Sequence, residues 1–448
     1  MSNLREKLKE YLHLMDQDDI SQVLNELSNT ELLELWHDMN DEEASEFFLL
    51  LSEKRKVEFL THLPEGDQEW LLLSINRDST KEILMRLEPD DLADIIQAIS
   101  PEVRESVWNS LSDEAKQETR FLLKFDEDDA AGLMTPRYVA LRSNITVAQA
   151  IQFIRRGVED IETIYYVYVV DPLKRLQGVI SLREILFSND NDRIGDKMVQ
   201  NVVSVREDTD QEEVAKTLED YDFLALPVVD RYNRLLGIVT FDDVIDVIRE
   251  EQTEDIYRMG AMEGSADIYL ETSVWGMIKK RIPWLIILLV LGTVTTNVLD
   301  AFGSIFASAY FLTLFIPVIT QTGGNSGTQS STLIIRGLAM GDLNFRDIGR
   351  VMLKELLVGL LMGVLLGLVI LLRSVFLPPG LEVYQAMVVG ISLVFVVLFS
   401  SLLGALAPLV IHRLGGDPTV IAGPLMSTFI DLTGITIYST VAKELLSL

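Results

Sequence analysis

One carboxylate stands inside the last apolar stretch of the chain, in "STFIDLTGITIY" (427–438). Asp431 is about fourteen residues from either edge of the apolar segment 418–446, close to mid-membrane if the segment spans as one helix. An ionisable group there costs ~3 kcal/mol or more, so such groups usually serve a pathway. On a helix, Ser427, Pro424 and Tyr438 share its face, with Thr428 and Gly434 at three-residue spacing. Leu425, Met426, Phe429 and Ile430 lie opposite and suit lipid or neighbouring helices. The alternative, a hydrogen bond to an adjacent helix, is weaker, because no base in the other apolar segments is placed to pair with Asp431. A second candidate is "GGNSGTQ" (323–329), where glycines expose carbonyls and Asn325 and Gln329 supply amides. Small residues there also permit close helix packing. Asp417 precedes Pro418 at the segment's entrance, either drawing cations to a pore mouth or acting as a solvated helix cap. Oxygen ligands suit a hard divalent cation such as Mg2+, which sheds its water reluctantly. Soft-metal ligands are missing: the chain has no Cys and four His, of which only His412 is near an apolar segment.

Charge divides the 448 residues into two halves. From Pro283 onward there are eight acidic and seven basic residues; the first 282 residues carry 60 acidic against 31 basic, a net −29. So acidic a surface repels nucleic acid and attracts cations. Without Cys there are no disulfides and no thiolate chemistry. The first twenty residues lack a continuous apolar core, so no signal peptide is expected. No phosphate-binding loop, Cys nucleophile or paired-His site appears, and no enzyme is expected.

The elements that position these groups follow from periodicity. An apolar residue returns every twelve positions from Met15 through Leu27, Met39, Leu51, Leu63, Ile75, Leu87, Ile99 and Leu111 to Leu123. A second apolar set follows eight residues after most of them, as in Leu35, Phe47, Phe59 and Leu71. Starters such as "SNTE", "NDEE" and "EPDD" suit N-caps and acidic first turns. Units this short must stack, which predicts a superhelix, right-handed or close to it, of about nine short helices. From 132 to 248 two copies of one α/β unit follow, with "YVVD…GVIS" in the first and "PVVD…GIVT" in the second. Their β-branched runs read as buried strands. "FDDVIDVIREEQTEDIYRMGAM" (241–262) reads as a long connecting helix. Five apolar segments close the chain, at about 283–303, 306–335, 352–377, 384–411 and 418–446. The second is too long and too polar for one simple span, which predicts a bend or a cavity lining. Lys279, Lys280 and Arg281 before the first segment place the acidic half in the cytosol, and five spans put the C-terminus outside.

The tandem α/β units resemble a pair of CBS domains, which pair pseudo-symmetrically and often dimerise. With the acidic helical repeat, the connecting helix, "GGNSGTQ" and "FIDLTG", essentially the whole chain resembles the MgtE family of Mg2+ transporters or channels. The resemblance implies a multidomain fold: an α-helical superhelical repeat (1–130), two α/β CBS domains (131–190 and 191–248), a connecting helix (249–281) and an all-α membrane domain (282–448). It implies a homodimer in the bilayer of a bacterial cell membrane, a central pore with Asp431 as its acid, and cytosolic acids that sense Mg2+ and favour closure. Those acids are assigned by resemblance to Asp90, Asp91 and Asp94 on the repeat, and Asp210, Glu212 and Asp222 on the second CBS domain. Asp243, Asp246, Glu251, Glu254 and Asp255 on the linker and Glu271 beyond it complete the set. Mg2+ bridging such acids would offset their repulsion and favour a compact state. CBS pairs also bind adenosine nucleotides. The ribose pattern G-x-x-[ST]-x-x-D is complete in the second copy as Gly237, Thr240 and Asp243. The first copy has Gly178, Ser181 and Glu184, with Glu in place of Asp. The second is therefore the better candidate for ATP, with Mg2+ or Arg183 and Lys197 needed against the acidic surroundings. Two other readings stay open: a nucleotide-regulated transporter of another divalent cation or solute, and a membrane sensor that transports nothing.

Overall fold

The protein is described from a computed structural model, which covers residues 17–37, 39–157, 161, 163–264 and 272–447. Met15 and Glu271 lie outside the described residues. The chain divides into two compact units, Met1–Ile248 and Arg249–Leu448.

The first unit opens with the expected stack. Among the described residues, nine short helices run as α1 (Gln17–Glu26), α2 (Asn29–Trp36), α3 (Asp41–Leu50), α4 (Glu53–His62), α5 (Glu65–Ser74), α6 (Arg77–Leu84), α7 (Pro89–Ala98), α8 (Pro101–Ser110) and α9 (Asp113–Leu122). The twelve-residue period has a simple cause. Each turn of chain supplies ten or fewer helical residues, then a polar cap such as Ser28 or Asn40, both in capping boxes. Leu51, Leu63, Ile75, Leu87, Ile99 and Leu111 close the helices from outside, while Phe47, Phe59, Leu71, Ile83, Ile95 and Val107 fill them from inside. Both series are buried in one continuous core. Helices pack mainly on the next but one in sequence, as α2 on α4 and α4 on α6.

Two three-stranded sheets follow with the same topology. In the first, β1 (Ala140–Leu141) runs parallel to β2 (Tyr166–Val170), which pairs antiparallel with β3 (Leu176–Ser181). In the second, β4 (Val205–Arg206), β5 (Ala225–Val229) and β6 (Leu235–Thr240) repeat the order and the registers. Helices α10 (Val147–Gly157), α11 (Leu182–Phe187), α12 (Ile194–Lys197) and α13 (Gln211–Asp220) accompany them. The copies join through a shared cluster of Tyr168, Val170 and Leu176 with Ala225, Val229 and Leu235. Reciprocal backbone bonds, Leu176 N–H to Asn233 O and Leu235 N–H to Lys174 O, both 2.9 Å, mark the pseudo-symmetry.

Helix α14 (Phe241–Met259) begins as the first turn after β6. It ends at Met259, so the connecting helix expected over 249–281 is not one helix. Gly260 and a positive φ at Ala261 stop it. Residues 274–281 belong instead to α15 (Val274–Ala301).

The second unit contains α15, the short α16 (Gly303–Ser308), a 3-10 turn (Tyr310–Phe315), α17 (Ile316–Ala339), α18 (Ile348–Phe376), α19 (Val383–Arg413) and α20 (Pro424–Leu446). Four of these, α15, α18 with its preceding turn, α19 and α20, are long and apolar enough to cross a membrane. Helix α17, 24 residues long, carries the polar "GGNSGTQ" and falls outside that group. The expected 306–335 segment thus breaks before Ile316, as its length demanded. Helix α19 is the hub, packed on α17, α18 and α20. Glycines make the close approaches: Gly359, Gly363 and Gly367 of α18 lie against Ser401, Val394 and Gly390 of α19. Gly404 of α19 faces the backbone of Gly327 on α17, where an added Cβ would overlap the Gly327 carbonyl. Gly404→Ala is expected to destabilise this body by about 1–3 kcal/mol, seen as a lower melting temperature in detergent. Gly349→Ala, with open space around it, leaves the temperature unchanged.

Candidate functional site

Asp431 does not sit at the midpoint of its helix. The chain enters α20 through a 3-10 turn (Pro418–Ile421) and Gly423 at φ 59°, so the helix starts only at Pro424. Asp431 is therefore two turns in. It is half-buried, and no hydrogen bond or ion pair engages it among the described residues. A Cβ built on Gly324 of α17 would lie 3.9 Å from its Oδ1 and 3.7 Å from Ser427 Oγ. One turn on, Thr328 Oγ1 and Ser427 Oγ are 3.4 Å apart. Glycine at 324 therefore leaves room beside the carboxylate.

Asn325 and Gln329 are exposed on one face of α17, and Gln321 continues their four-residue spacing. Of the residues grouped with Asp431 by spacing, Ser427 stays beside it. Tyr438 does not: it is fully buried and its hydroxyl donates to Leu312 O at 2.9 Å. Gly434 is buried against Val396. Met426 and Ile430 form the packed face, while Phe429 is exposed.

Asp417 caps the turn before α20, accepting from Thr419 N–H at 2.8 Å and Thr419 Oγ1 at 2.6 Å. The Arg258 guanidinium, on the last turn of α14, donates to both Asp417 and Glu254. Burial pushes the Asp417 carboxyl up, but the Thr419 and Arg258 hydrogen bonds outweigh it and hold it below its usual range. A side chain at Gly423 would overlap the Met259 carbonyl. The end of α14 is thus seated on the segment that leads into α20. Glu251 and Asp255 lie on α14 outside this pair, and Asp246 is exposed on it.

The acids of the first unit separate into groups. Glu88, Asp91, Asp94, Asp242 and Asp243 repel one another between α7 and the start of α14. Burial, then Glu88, Asp243, Asp94 and Asp242, push Asp91 up to about 7. Burial pushes Asp243 up to about 6, against a 2.5 Å hydrogen bond donated by Thr240 Oγ1. Asp90 is buried on the adjacent position of α7. Asp210 caps α13 and accepts from Glu212 N–H at 2.9 Å. Asp222, at φ 52°, is beyond the other end of that helix, so these three do not converge. Among the described residues no three His, Asp or Glu groups close around one point as metal ligands.

The nucleotide motif reads differently in space. Thr240 is buried and its hydroxyl is spent on Asp243, which belongs to the acidic group. A cavity of about 220 Å3 opens between the two copies, lined by Tyr166, Ser181 and Glu184 of the first and by Asn201, Phe223 and Pro227 of the second. Glu184 folds back into a capping box, accepting from Ser181 N–H at 3.1 Å and Ser181 Oγ at 3.0 Å.

Three features escaped the sequence reading. Glu355 of α18 is 9% exposed and accepts from Ser330 Oγ of α17 at 2.7 Å. Its signal was present, since Glu355 stands four residues before the Gly359, Gly363, Gly367 series. Gln321 shared the spacing of Asn325 and Gln329. Arg258 gave only the local signal of Glu254 four residues before it, because its other partner, Asp417, is 159 residues away.

The apolar body matches a family model described as divalent cation transporter over residues 316–441. That sets the class: an integral membrane protein of a cation-transporter family. Residues 27–128 match the MgtE intracellular N domain, and 130–189 and 194–250 match CBS domains. The magnesium transporter MgtE of Thermus thermophilus is 45% identical over 336 residues, covering 74% of this chain and 73% of that one. Its counterpart in Enterococcus faecalis is 39% identical over 329 residues, 73% and 71% of the two chains. Among solved structures, the cytosolic domain of the Mg2+ channel MgtE in complex with ATP is 42% identical. It has a TM-score of 0.52 and covers 54% of this chain and 99% of that one. The chain belongs to the MgtE family.

The raised carboxyls fix a pH dependence. With Asp91 near 7 and Asp243 near 6 when folded, against ~4 unfolded, the folded state binds more protons in between. Stability of the α7–α14 contact therefore falls as pH rises from about 4 to 7. In EDTA, hydrogen exchange of α7 in the full-length protein, corrected for intrinsic rates, is expected to show protection falling over that range. Asp91→Asn flattens the dependence.

Proposed function

We propose that the protein moves Mg2+ across the bacterial cell membrane, with its acidic first half in the cytosol and its C-terminus outside. The observation that carries this is an unpaired, half-buried Asp431 beside Gly324, next to the uncovered amide stripe of Gln321, Asn325 and Gln329. Helix α15 has no buried residue in a single chain, which supports a homodimer whose partner completes the wall around the ion path. A carboxylate, amides and hydroxyls suit a hard cation that keeps part of its water shell. Tightly bound dehydrated ions would need a denser ligand set. The relatives named magnesium transporter support Mg2+ as the cargo.

Mg2+ also regulates, on this reading. The group around Asp91 and Asp243 is costly to hold without a cation, so an ion bound there favours the compact form. At the end of α14, Arg258 already balances Glu254 and Asp417. A divalent ion that takes both carboxylates must displace the guanidinium, which sets how much Mg2+ is needed. A second reading concerns regulation by nucleotide. The cavity at Ser181 and Glu184 has aromatic walls, Tyr166 and Phe223, for a base, and the related cytosolic domain was solved with ATP. ATP is proposed as its ligand.

In liposomes, Asp431→Asn is expected to reduce Mg2+ flux at least tenfold, the scale of losing a charge-assisted contact of about 1.5–3 kcal/mol. Unchanged flux removes the pathway. Arg258→Met is expected to lower the internal Mg2+ that half-closes the pathway by about three- to tenfold, with maximal flux kept. A shift to higher Mg2+ would instead make Arg258 a tether needed for closure.

A further inference from the structure

Glu355 is a second carboxyl set well inside the apolar helices, and the ion path as proposed makes no use of it. It sits two turns into α18, 9% exposed, and its one hydrogen bond comes from Ser330 Oγ at 2.7 Å. No basic group lies within 4 Å of it among the described residues. It opens the buried stripe Glu355, Gly359, Gly363, Gly367. Helix α17 presents Gly323 and Gly327 to Val396, Ser400 and Ile430. Large apolar side chains key α17 into its neighbours at its two ends, through Ile319 and through Ile334, Ile335 and Leu338; over the polar turns between them the glycines bring backbones close without such knobs. Over those turns directional contacts supplement the close backbone fit in setting the rotation of the helix. On the α18–α19 side of α17 two are present: Ser326 Oγ to Ser401 Oγ at 2.9 Å, and Ser330 Oγ to Glu355.

The residues that need the rotation fixed are on the other faces of the same helix. Ser326 and Ser330 follow Asn325 and Gln329 by one position each, about 100° around the axis. Gly324 and Thr328, one position back from the amides, face Asp431 and Ser427. A modest turn of α17 would carry all three stripes together. It would swing Thr328 off Ser427 and move the amides relative to Asp431. Buried polar contacts are known to specify register where apolar packing does not.

We infer that Glu355 is a positioning residue: by accepting the Ser330 hydroxyl it fixes the rotation of α17, and with it the placement of the α17 amides against Asp431. The carboxyl serves as an acceptor, so an amide carbonyl can replace it. The inference rests on the transport reading for its consequence, but its geometry is tested separately.

The chain has no cysteine, so the pair Thr328→Cys and Ser427→Cys reports the α17–α20 contact directly in the full-length protein. Oxidation in native membranes is expected to cross-link the pair rapidly. Adding Glu355→Leu or Ser330→Ala slows the cross-link about three- to tenfold, the scale of one interhelical hydrogen bond; adding Glu355→Gln leaves it unchanged. In liposomes, without the cysteines, Glu355→Leu and Ser330→Ala lower the Mg2+-to-Ca2+ flux ratio by a similar factor, and Glu355→Gln keeps it. Ser330→Ala carries the test if Glu355→Leu does not fold. A cross-linking rate indifferent to Glu355→Leu and Ser330→Ala overturns the inference. So does Glu355→Gln falling as far as Glu355→Leu, which would make the charge the working feature. A cross-link that responds as expected, in a protein whose flux ignores Asp431→Asn, rejects the transport reading and leaves the positioning role standing.

Discussion

A carboxylate without a partner, held between two helices of an apolar body, is the constraint around which the second unit is arranged. Among the described residues Asp431 has no base beside it and accepts no hydrogen bond; Gly324 and the hydroxyl of Ser427, itself near that of Thr328, are its polar and small neighbours. A negative group in apolar surroundings is tolerated when water or a cation reaches it. That requirement explains why α17 is the least apolar of the long helices and why its uncovered face carries amides. It also explains the glycines. To place a polar helix against α19 without leaving its backbone groups in a loose, wet gap, the two must approach closely, and Gly327 and Gly404 allow it. The polar helix is thus walled by tightly packed apolar ones, which confine the wet surface to one side.

The same logic separates Asp431 from Glu355. Asp431 is half-buried and accepts no hydrogen bond among the described residues, and Glu355 is buried in the packed seam. A carboxyl that is satisfied by a neighbouring hydroxyl is a structural contact. One that is left unsatisfied is, on the proposed reading, a place for a visiting ion. Residue type alone does not distinguish them; the partners do.

How much of this was legible follows the range of the interactions. The nine helices were readable because caps and apolar spacing are local: Ser28 and Asn40 cap within three residues, and every twelfth residue is apolar. The duplicated sheets were readable for the same reason, as each strand run is short and β-branched. The end of α14 at Met259 was missed because the Gly260 stop is followed at once by helix-compatible Ala261, Met262 and Glu263. Asp431 stands nearer the start of its helix than the apolar run suggests, because apolarity begins at Pro418 but the helix only at Pro424, after Gly423 turns the chain at a positive φ. The nucleotide motif misled in an instructive way. The copy with the complete pattern has its threonine and aspartate occupied with each other and with neighbouring acids, while Ser181 and Glu184 of the other copy line a cavity that both copies share. A pattern reports which groups are available, and packing decides which are free.

Arg258 shows how long-range pairing adds what periodicity lacks. Two carboxylates of the acidic chain, Glu254 and Asp417, meet on one guanidinium, and the next residue's carbonyl is fitted against Gly423. Asp417 is also the cap of the turn that starts α20, so whatever neutralises it acts on the helix that carries Asp431 eight residues beyond Gly423. An Arg is a fixed single charge with a planar fork; a hydrated divalent ion is larger, doubly charged and free to leave. Exchanging one for the other at the same carboxylates changes the charge and the reach of the contact while leaving the helices intact. Repulsion among the −29 of the first 282 residues supplies the other half of such a balance. Monovalent salt screens that repulsion at a distance of about 10 Å but does not bridge two carboxylates. A divalent ion does, and for this reason an excess of acid joined to a nearly neutral membrane body suits a protein that answers to the concentration of the ion it carries.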